Sequence, residues 1–505
     1  MKWITTFPLY PMSLISANSI LRQMCYIRNV NVVPKGTMGD ELKFKRSSLA
    51  HFCYTNNDIN KFYGITEKGI SDKHPPPYLL NFEKCNDIIS FTDKIDNDCL
   101  NQIKNLARLE IIKGHIAILP DVHLGKGIII GSVFLTKDFV IPNGVGVDIG
   151  CGILCVKINN LKKKNLNSNI INNIYNKIRR NVPLSFDSHE REIFDSKNVL
   201  DKLVTKYASK NMIHIMKSKH LMQIGTLGGG NHFIEVAYDA SDSSTQQECN
   251  NNLLRSYEQD DISTRCEIEM NNFSESEIYI LIHSGSRNIG KTTAEFYDAI
   301  ASEESKMKKN DLAYLDLRKE QGQNYLKDMK LCLEYAKYNR IYMMKIIEKI
   351  IKEEVKCTLD WENAVNIHHN FCNKELVSYV HNKEIKKEYM YVTRKGATSS
   401  KKDQLGIIPG NMKVGSYIVK GKGNMLSYNS CSHGCGRVLS RTKAKQIINQ
   451  NDFVNIMKGV RCDTNNKIRD EAPQAYKNLN QVLRNQDSLI HVVRKLLPLI
   501  NVKGF

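Results

Sequence analysis

Ile116–Leu135, IAILPDVHLGKGIIIGSVFL, sets two β-branched runs, Ile116–Leu119 and Ile128–Leu135, on either side of a segment carrying Pro120, Asp121 and His123. Short apolar runs bounded by glycine and proline predict two short strands with a chemically loaded loop between them. From Thr293 to Lys356 the period changes. Met343, Ile346, Ile347, Ile350 and Ile351 fall at i, i+3, i+4, i+7 and i+8, which predicts an amphipathic helix whose apolar face is packed core or part of a helical hairpin. After Asp360 short strands and glycine loops return up to Arg441, and the remainder reads as helical to Phe505. Strands on both sides of a helical excursion predict an α+β fold in one catalytic body over residues 40–505, with insertions, rather than a chain of modules. Asn159–Asn181 reads as a solvated helix, and the polar, acidic stretch Tyr238–Glu277 as a surface insertion.

The 505 residues are 41% hydrophobic, which excludes a wholly disordered chain. No apolar stretch approaches the roughly 18 to 20 residues of a membrane span, so no membrane partner is expected. Lys and Arg number 72 against 53 Asp and Glu, a net charge of +19. Such an excess suits RNA or DNA, because neutralised phosphates release counterions. Compositional bias toward Lys and Asn produces the same excess, and charge alone leaves the two readings level. Fourteen cysteines at irregular spacing fit a reducing, intracellular compartment better than a disulfide scaffold. Residues 1–39 contain Lys2, Arg22, Arg28 and Lys35 but no acid, and read equally as a targeting presequence or a disordered extension, leaving the address cytoplasmic or organellar.

Five glycine-flanked segments put metal-capable or acid–base side chains at the ends of strand-like runs. NGVGVDIGCG (Asn143–Gly152) offers Asp148 and Cys151 three apart, able to reach one metal or to bridge two. GGGNHFIE, IHSGSRNIG and IHHN supply His232, His283 with Arg287, and His368 with His369. Each alone is more often a structural residue. Together their nitrogen, oxygen and sulfur donors suit Mn, Zn or Fe rather than Mg or Ca. Cys155, Cys431 and Cys435 lack a paired second half and read as small buried residues. In the fifth segment, SCSHGCGRVLSR (Ser430–Arg441), small residues allow a phosphate close to His433, and a helix starting near Gly436 would put Arg437 and Arg441 on one face as a cationic clamp. A neutral imidazole beside such a clamp can attack phosphorus; a capped turn with two surface arginines accounts for the pattern as well. There is no P-loop and no G-x-G-x-x-G.

PDVHLGKG (Pro120–Gly127), GVGVDIGCG, GGGNHFIEV, HSGSRNIG, HHN, TRKGA (Thr393–Ala397), PGNM and SYIVKGKGN (Pro409–Asn424), SHGCGRVLSRTKAK and DEAPQAYK (Asp470–Lys477) resemble, in order, the motifs of the RtcB family of RNA ligases, with wording similar to its bacterial-type branch. The resemblance runs from about Ile116 to the C-terminus. It implies a GTP- and Mn²⁺-dependent enzyme of tRNA splicing or RNA repair that joins a 3′-phosphate or 2′,3′-cyclic phosphate to a 5′-hydroxyl. It implies His433 as the nucleophile that becomes guanylylated, and a two-manganese site of Asp148, Cys151, His232, His283 and His369, with Cys151 bridging. Nucleotide contacts are implied for Asn231, His232, Phe233, Ile234, Glu235, His369, Asn370, Pro409, Gly410, Asn411, Met412, Ser416, His433, Gly434, Cys435, Gly436 and Lys503. Phosphate or RNA contacts are implied for Arg287, Arg437 and Arg441. Implied partners are RNA, GTP and an archease-like activator.

Cys435 stands where the family usually has alanine, which puts an oxidisable thiol beside the nucleophile, and Phe505 follows the usual Lys-Gly end. Two other readings compete: a metal-dependent cyclic phosphodiesterase or phosphatase that does not ligate, and an RNA-binding protein with a dead site. Intact ligands and an intact His433 speak against the last.

Overall fold

The computed structural model describes residues 28–30, 76–241, 273–307, 312–381 and 384–504. Ile116–Leu119 lies inside a longer strand, Ile112–His123, antiparallel to Ile130–Thr136. Ile116 and Ile118 pack with the helix Asn97–Ala107, while Ala117 and Leu119 enter the core on the opposite face. A strand buried on both faces needs no polar alternation, which explains the unbroken apolar run. Pro120 and Asp121, expected in the loop, continue this strand instead. Its register slips between Ile118 and His123, where proline has no N–H for the ladder.

Seven strands form this sheet in the order Arg28–Val30, Tyr78–Leu80, Ile88–Ser90, Ile112–His123, Ile130–Thr136, Glu384–Lys395, Asn370–His381. The last two run in register from Asn370↔Lys395 to His381↔Glu384, far longer than the short strands expected there.

The second sheet has eight strands. Seven follow the order Val365–His368, Gly152–Lys162, Glu277–Ser284, Phe233–Asp239, Ile490–Lys503, Ser416–Gly421, Leu405–Pro409, and Arg461–Cys462 adds to Ile490–Lys503. Alternate residues face opposite cores: Leu154, Ile234 and Ile282 one way, Ile153, Phe233 and Leu281 the other. Helices Ser168–Asn181 and Glu320–Val355 cover the first face with Ile174, Tyr175, Ile178, Met343, Ile347 and Ile351. The apolar stripe is therefore packed core, and the α+β reading holds.

Three boundaries differ from expectation. The helical excursion is two helices, Arg287–Glu304 and Glu320–Val355, parted by the short strand Leu315–Asp316, which pairs with Phe139–Val140. Asn159–Lys162 ends a strand, and the helix starts only at Ser168, where the Asn167 side chain caps Ile170 N–H. The C-terminal end is not helical throughout: Ile490–Lys503 is a strand between Phe233–Asp239 and Ser416–Gly421, with a slip between Pro498 and Ile500. The flanks of the Tyr238–Glu277 insertion are strand ends, and its residues 242–272 lie outside the described residues, as do Phe505 and, apart from Arg28–Val30, the N-terminal segment 1–39. No helix among the described residues is long and apolar enough to cross a membrane.

Candidate active site

Val365–His368 and Asn370–His381 belong to different sheets, and His369 alone separates them. The candidate site lies where the sheets meet. Cys151 precedes the strand Gly152–Lys162, His232 precedes Phe233–Asp239, and His283 lies near the end of Glu277–Ser284, in register with Phe233 and Ile153. Adjacent register brings the donors together: Cys151 Sγ lies 3.3 Å from His283 Nε2 and 3.4 Å from His232 Nε2, and His283 Nε2 lies 3.4 Å from His369 Nε2. Cys151, His283 and His369 form one metal-capable group, Asp148, Cys151 and His232 a second, and Cys151 belongs to both. Gly285 makes room, since a Cβ there would sit 1.9 Å from Asp148 Oδ1.

The donor chemistry fits a metal. His232 Nδ1 lies 3.0 Å from Leu227 O, so its N–H is directed at that carbonyl and Nε2 presents a lone pair. That lone pair faces Asp148 Oδ2 at 2.9 Å. Two acceptors meeting in this way need a proton or a cation between them. Burial, then neighbouring histidines, push His283 and His369 well below the ordinary imidazole range, toward the neutral, ligating form. Burial works to raise the Asp148 pKa, but His232, Cys151 and Arg287 hold it below the usual value. Burial, then Asp148, pushes the Cys151 thiol well up, so a metal would have to displace its proton.

Asn231, Phe233, Glu235, Pro409, Gly410, Asn411, Met412, Ser416, His433, Gly434, Cys435, Gly436 and Lys503 line one cavity of about 440 Å³, together with His283, Arg437 and Arg441. His433 follows the strand Ser430–Ser432, and its ring stands 4.8 Å from that of His369, joining the cavity to the metal-capable cluster. His433 Nδ1 lies 2.6 Å from Oδ2 of the fully buried Asp121, and the His433 backbone N–H donates to the same oxygen at 3.1 Å. Burial alone would raise the Asp121 pKa; His433, His123 and Lys477 outweigh it and hold the carboxylate ionised. Gly436 is required here, because its φ is +72° and a Cβ would meet Asp121 O at 2.2 Å.

The helix expected to put Arg437 and Arg441 on one face does not start near Gly436. Gly436 turns the chain, and the helix begins at Arg441, capped by Ser440. Arg437 and Arg441 instead converge on Glu471: their Nη1 atoms lie 3.2 Å and 2.6 Å from Oε1, and Lys503 Nζ lies 2.7 Å from Oε2. Burial opposes ionisation of Glu471, but Lys503 and Arg441 hold its pKa at about 2. Local spacing could not reveal Glu471 or Asp121, because their partners are remote in the chain. Both nevertheless lie inside quoted motifs, DEAPQAYK and PDVHLGKG.

Several expected contacts sit elsewhere. Ile234 packs in the core behind its strand, and Asn370 bonds Gly396 N–H and Asp148 O. Arg287, expected at a phosphate, gives Nε to Thr226 Oγ1 and Nη2 to Ser185 O. Cys155, Cys431 and Cys435 are buried thiols.

Glu235 is the unusual acid of the cavity. Burial raises its pKa to about 7, against hydrogen bonds from Asn501 and Ser416. A raised folded-state pKa means that its stabilising contribution is complete below the ordinary carboxyl value of 4.5 and is lost as pH rises through about 7. Glu235→Gln should therefore lose less stability than the parent between about pH 4 and 8, by on the order of 3 kcal/mol in urea denaturation.

A cavity of nucleotide size, a histidine oriented by a buried carboxylate, converging cations and an adjacent N/O/S ligand cluster suit metal-assisted phosphoryl or nucleotidyl transfer. The chain belongs to the RtcB family: the model of the tRNA-splicing ligase RtcB matches residues 102–504. The RNA-splicing ligases RtcB1 and RtcB of two Escherichia coli strains (ATCC 25922 and K12) are 34% and 33% identical over 81% of this chain and 95% of their own length. The tRNA-splicing ligase RtcB of Nanoarchaeum equitans is 27% identical over 80% of this chain and 91% of its own. The protein is thus a ligase of a family that acts on RNA, as the motifs imply.

Proposed function

We propose that the protein joins RNA ends carrying a 3′-phosphate or 2′,3′-cyclic phosphate to 5′-hydroxyl ends, using GTP and Mn²⁺ through a guanylylated His433, in tRNA splicing or RNA repair. The observation that carries this reading is that one cavity is lined by Met412, Glu235 and Asn501, by His433, and by His283 of the ligand cluster. With Nδ1 2.6 Å from Oδ2 of Asp121, a proton held between the two would leave the His433 Nε2 lone pair for the α-phosphorus of GTP. A P–N bond forms, the bond to the bridging oxygen breaks, and pyrophosphate leaves with the electron pair. A cyclic end is first opened by water, which breaks the P–O2′ bond and leaves a 2′-hydroxyl and a 3′-phosphate; the GMP then passes from His433 to the 3′-phosphate, and attack by the 5′-hydroxyl on that phosphorus releases GMP.

Asp148, Cys151, His232, His283 and His369 would hold the manganese, which when bound supplies charge neutralisation at the phosphates. Arg437, Arg441 and Lys503 bring three cations to Glu471 and Asp470, leaving positive charge for a phosphate group. Glu235, buried beside Asn501, is placed to accept from a base edge once ionised. An archease-like activator belongs to the same reading.

The test is transfer of label from α-labelled GTP to the polypeptide with Mn²⁺. An acid-labile, base-stable adduct is expected, as for a phosphoramidate, followed by sealing of 3′-phosphate and 5′-hydroxyl RNA. Absence of label refutes the ligase mechanism, and cyclic phosphate ends opened without joining would favour the phosphodiesterase.

A further inference from the structure

Four buried polar residues interrupt the apolar length of the helix Glu320–Val355, Asn324, Asp328, Asn339 and Arg340, and the last two are adjacent. Asn339 and Arg340 are each 0% exposed. A buried guanidinium is costly unless its donors are used, and here they are. Arg340 Nη1 donates to Gly150 O at 3.0 Å and to Ser284 O at 2.8 Å, and Nε donates to Asn366 Oδ1 at 2.9 Å. These three partners are neutral oxygens, and Nη2 lies 3.3 Å from His368 Nδ1. Gly150 precedes Cys151, Ser284 follows His283, and the strand bearing Asn366 leads to His369. His368 Nδ1 also lies 2.8 Å from Gly150 O, so the carbonyl before Cys151 is fixed from two sides.

Asn339 serves the remaining loops. Its Oδ1 accepts from Gly225 N–H (2.7 Å) and Thr226 N–H (3.0 Å), while Nδ2 lies 3.1 Å from Thr226 O, Ser284 Oγ and Gly285 O. Ser284 Oγ donates in turn to Leu227 O, the carbonyl that orients His232. Two adjacent helix residues thus reach the backbones beside Cys151 and His283 directly, the His369 segment through the Asn366 side chain, and the His232 segment through Thr226 and, by way of Ser284, Leu227.

The geometry points to Asn339 and Arg340 as positioning residues that hold the four ligand-bearing segments in one arrangement before a metal arrives, making the long helix the template of the metal centre. The inference rests on the metal reading of the cluster. Outer groups that orient ligands typically change metal affinity 10- to 100-fold, and a lysine cannot reproduce the planar fork of arginine.

The experiment is Mn²⁺ titration of the metal-free full chain by calorimetry, with thermal melting alongside. Arg340→Lys should bind Mn²⁺ roughly 10- to 100-fold more weakly. Asn339→Asp, which keeps the acceptor and loses the donors, should bind about tenfold more weakly and remains informative if the arginine variant fails to fold. Ile347→Ala, which opens a cavity in the same helix away from these loops, serves as the stability control and should bind as the parent does. Parent-like affinity in both polar variants overturns the inference, and so does an equal loss in Ile347→Ala, which would mark a general effect of destabilisation. A parent chain that takes up no Mn²⁺ refutes the metal reading itself, a result distinct from either.

Discussion

Cys151→Ala should lose manganese from both groups at once, with affinity falling roughly 100-fold or more, beyond the usual cost of an outer-shell change. The reason is that Cys151 is the one donor common to the Asp148–His232 and His283–His369 pairs. Its Sγ lies within 3.4 Å of His232 Nε2 and 3.3 Å of His283 Nε2, so removing it opens the middle of the cluster. Burial is tolerated at alanine, a smaller apolar residue, and the fold should melt near the parent temperature. The same site fixes the sign of a pH effect. Burial and Asp148 raise the Cys151 thiol well above its ordinary value. Metal uptake must therefore release that proton, and affinity should rise with pH, by up to about tenfold per unit. In Cys151→Ala this slope should flatten. Equilibrium Mn²⁺ binding at several pH values checks both statements; parent-like affinity or an unchanged slope in the variant would defeat the bridging role.

The five candidate ligands were legible in the sequence because they fall in short segments beside apolar runs, Asp148 and Cys151 among Gly146, Gly150 and Gly152, His232 two residues after Gly230 and His283 two before Gly285. Their convergence was not legible, since it depends on the sheet order that sets His283 opposite Phe233 and Ile153. The partners of His433 were hidden more deeply. Asp121 reads as a loop acid because proline precedes it, yet it continues a buried strand and meets His433 from 312 residues away. The C-terminal strand was misread because Val492, Val493, Leu496 and Leu497 satisfy helical and strand periods alike in a short window. Pairing with Phe233–Asp239 decides the matter, and it also brings Lys503 level with Phe233 at the cavity wall. Arg437 and Arg441 show the converse: the spacing pairs them through a shared helical face, whereas they converge through Glu471.

His433→Ala should take no label from GTP while still binding Mn²⁺, because the proposed nucleophile is removed and none of the five candidate ligands is touched. Asp121→Asn is the sharper substitution. In the parent, Asp121 Oδ2 holds Nδ1 of His433 at 2.6 Å and its backbone N–H at 3.1 Å, inside a fully buried pocket. An ionised carboxylate there favours the tautomer with its proton on Nδ1. An asparagine can set its Oδ1 where Oδ2 stands and keep both contacts, but it brings no negative charge to favour a proton on Nδ1 over Nε2, the atom proposed to attack phosphorus, or to stabilise charge developing on the ring. The side chains are isosteric, and Lys477 still caps the flanking Pro120 and Val122 carbonyls, so the loop geometry should survive. Label transfer should fall about 10²- to 10⁴-fold, the range seen when the orienting acid of a catalytic histidine is made an amide or general-base action is lost. GTP and Mn²⁺ affinities should change little. Rapid-quench guanylylation measured beside equilibrium nucleotide binding separates the two effects. A parent-like rate in Asp121→Asn would show that the carboxylate does not set the histidine's tautomer, whereas lost nucleotide binding would show that its role is to shape the cavity.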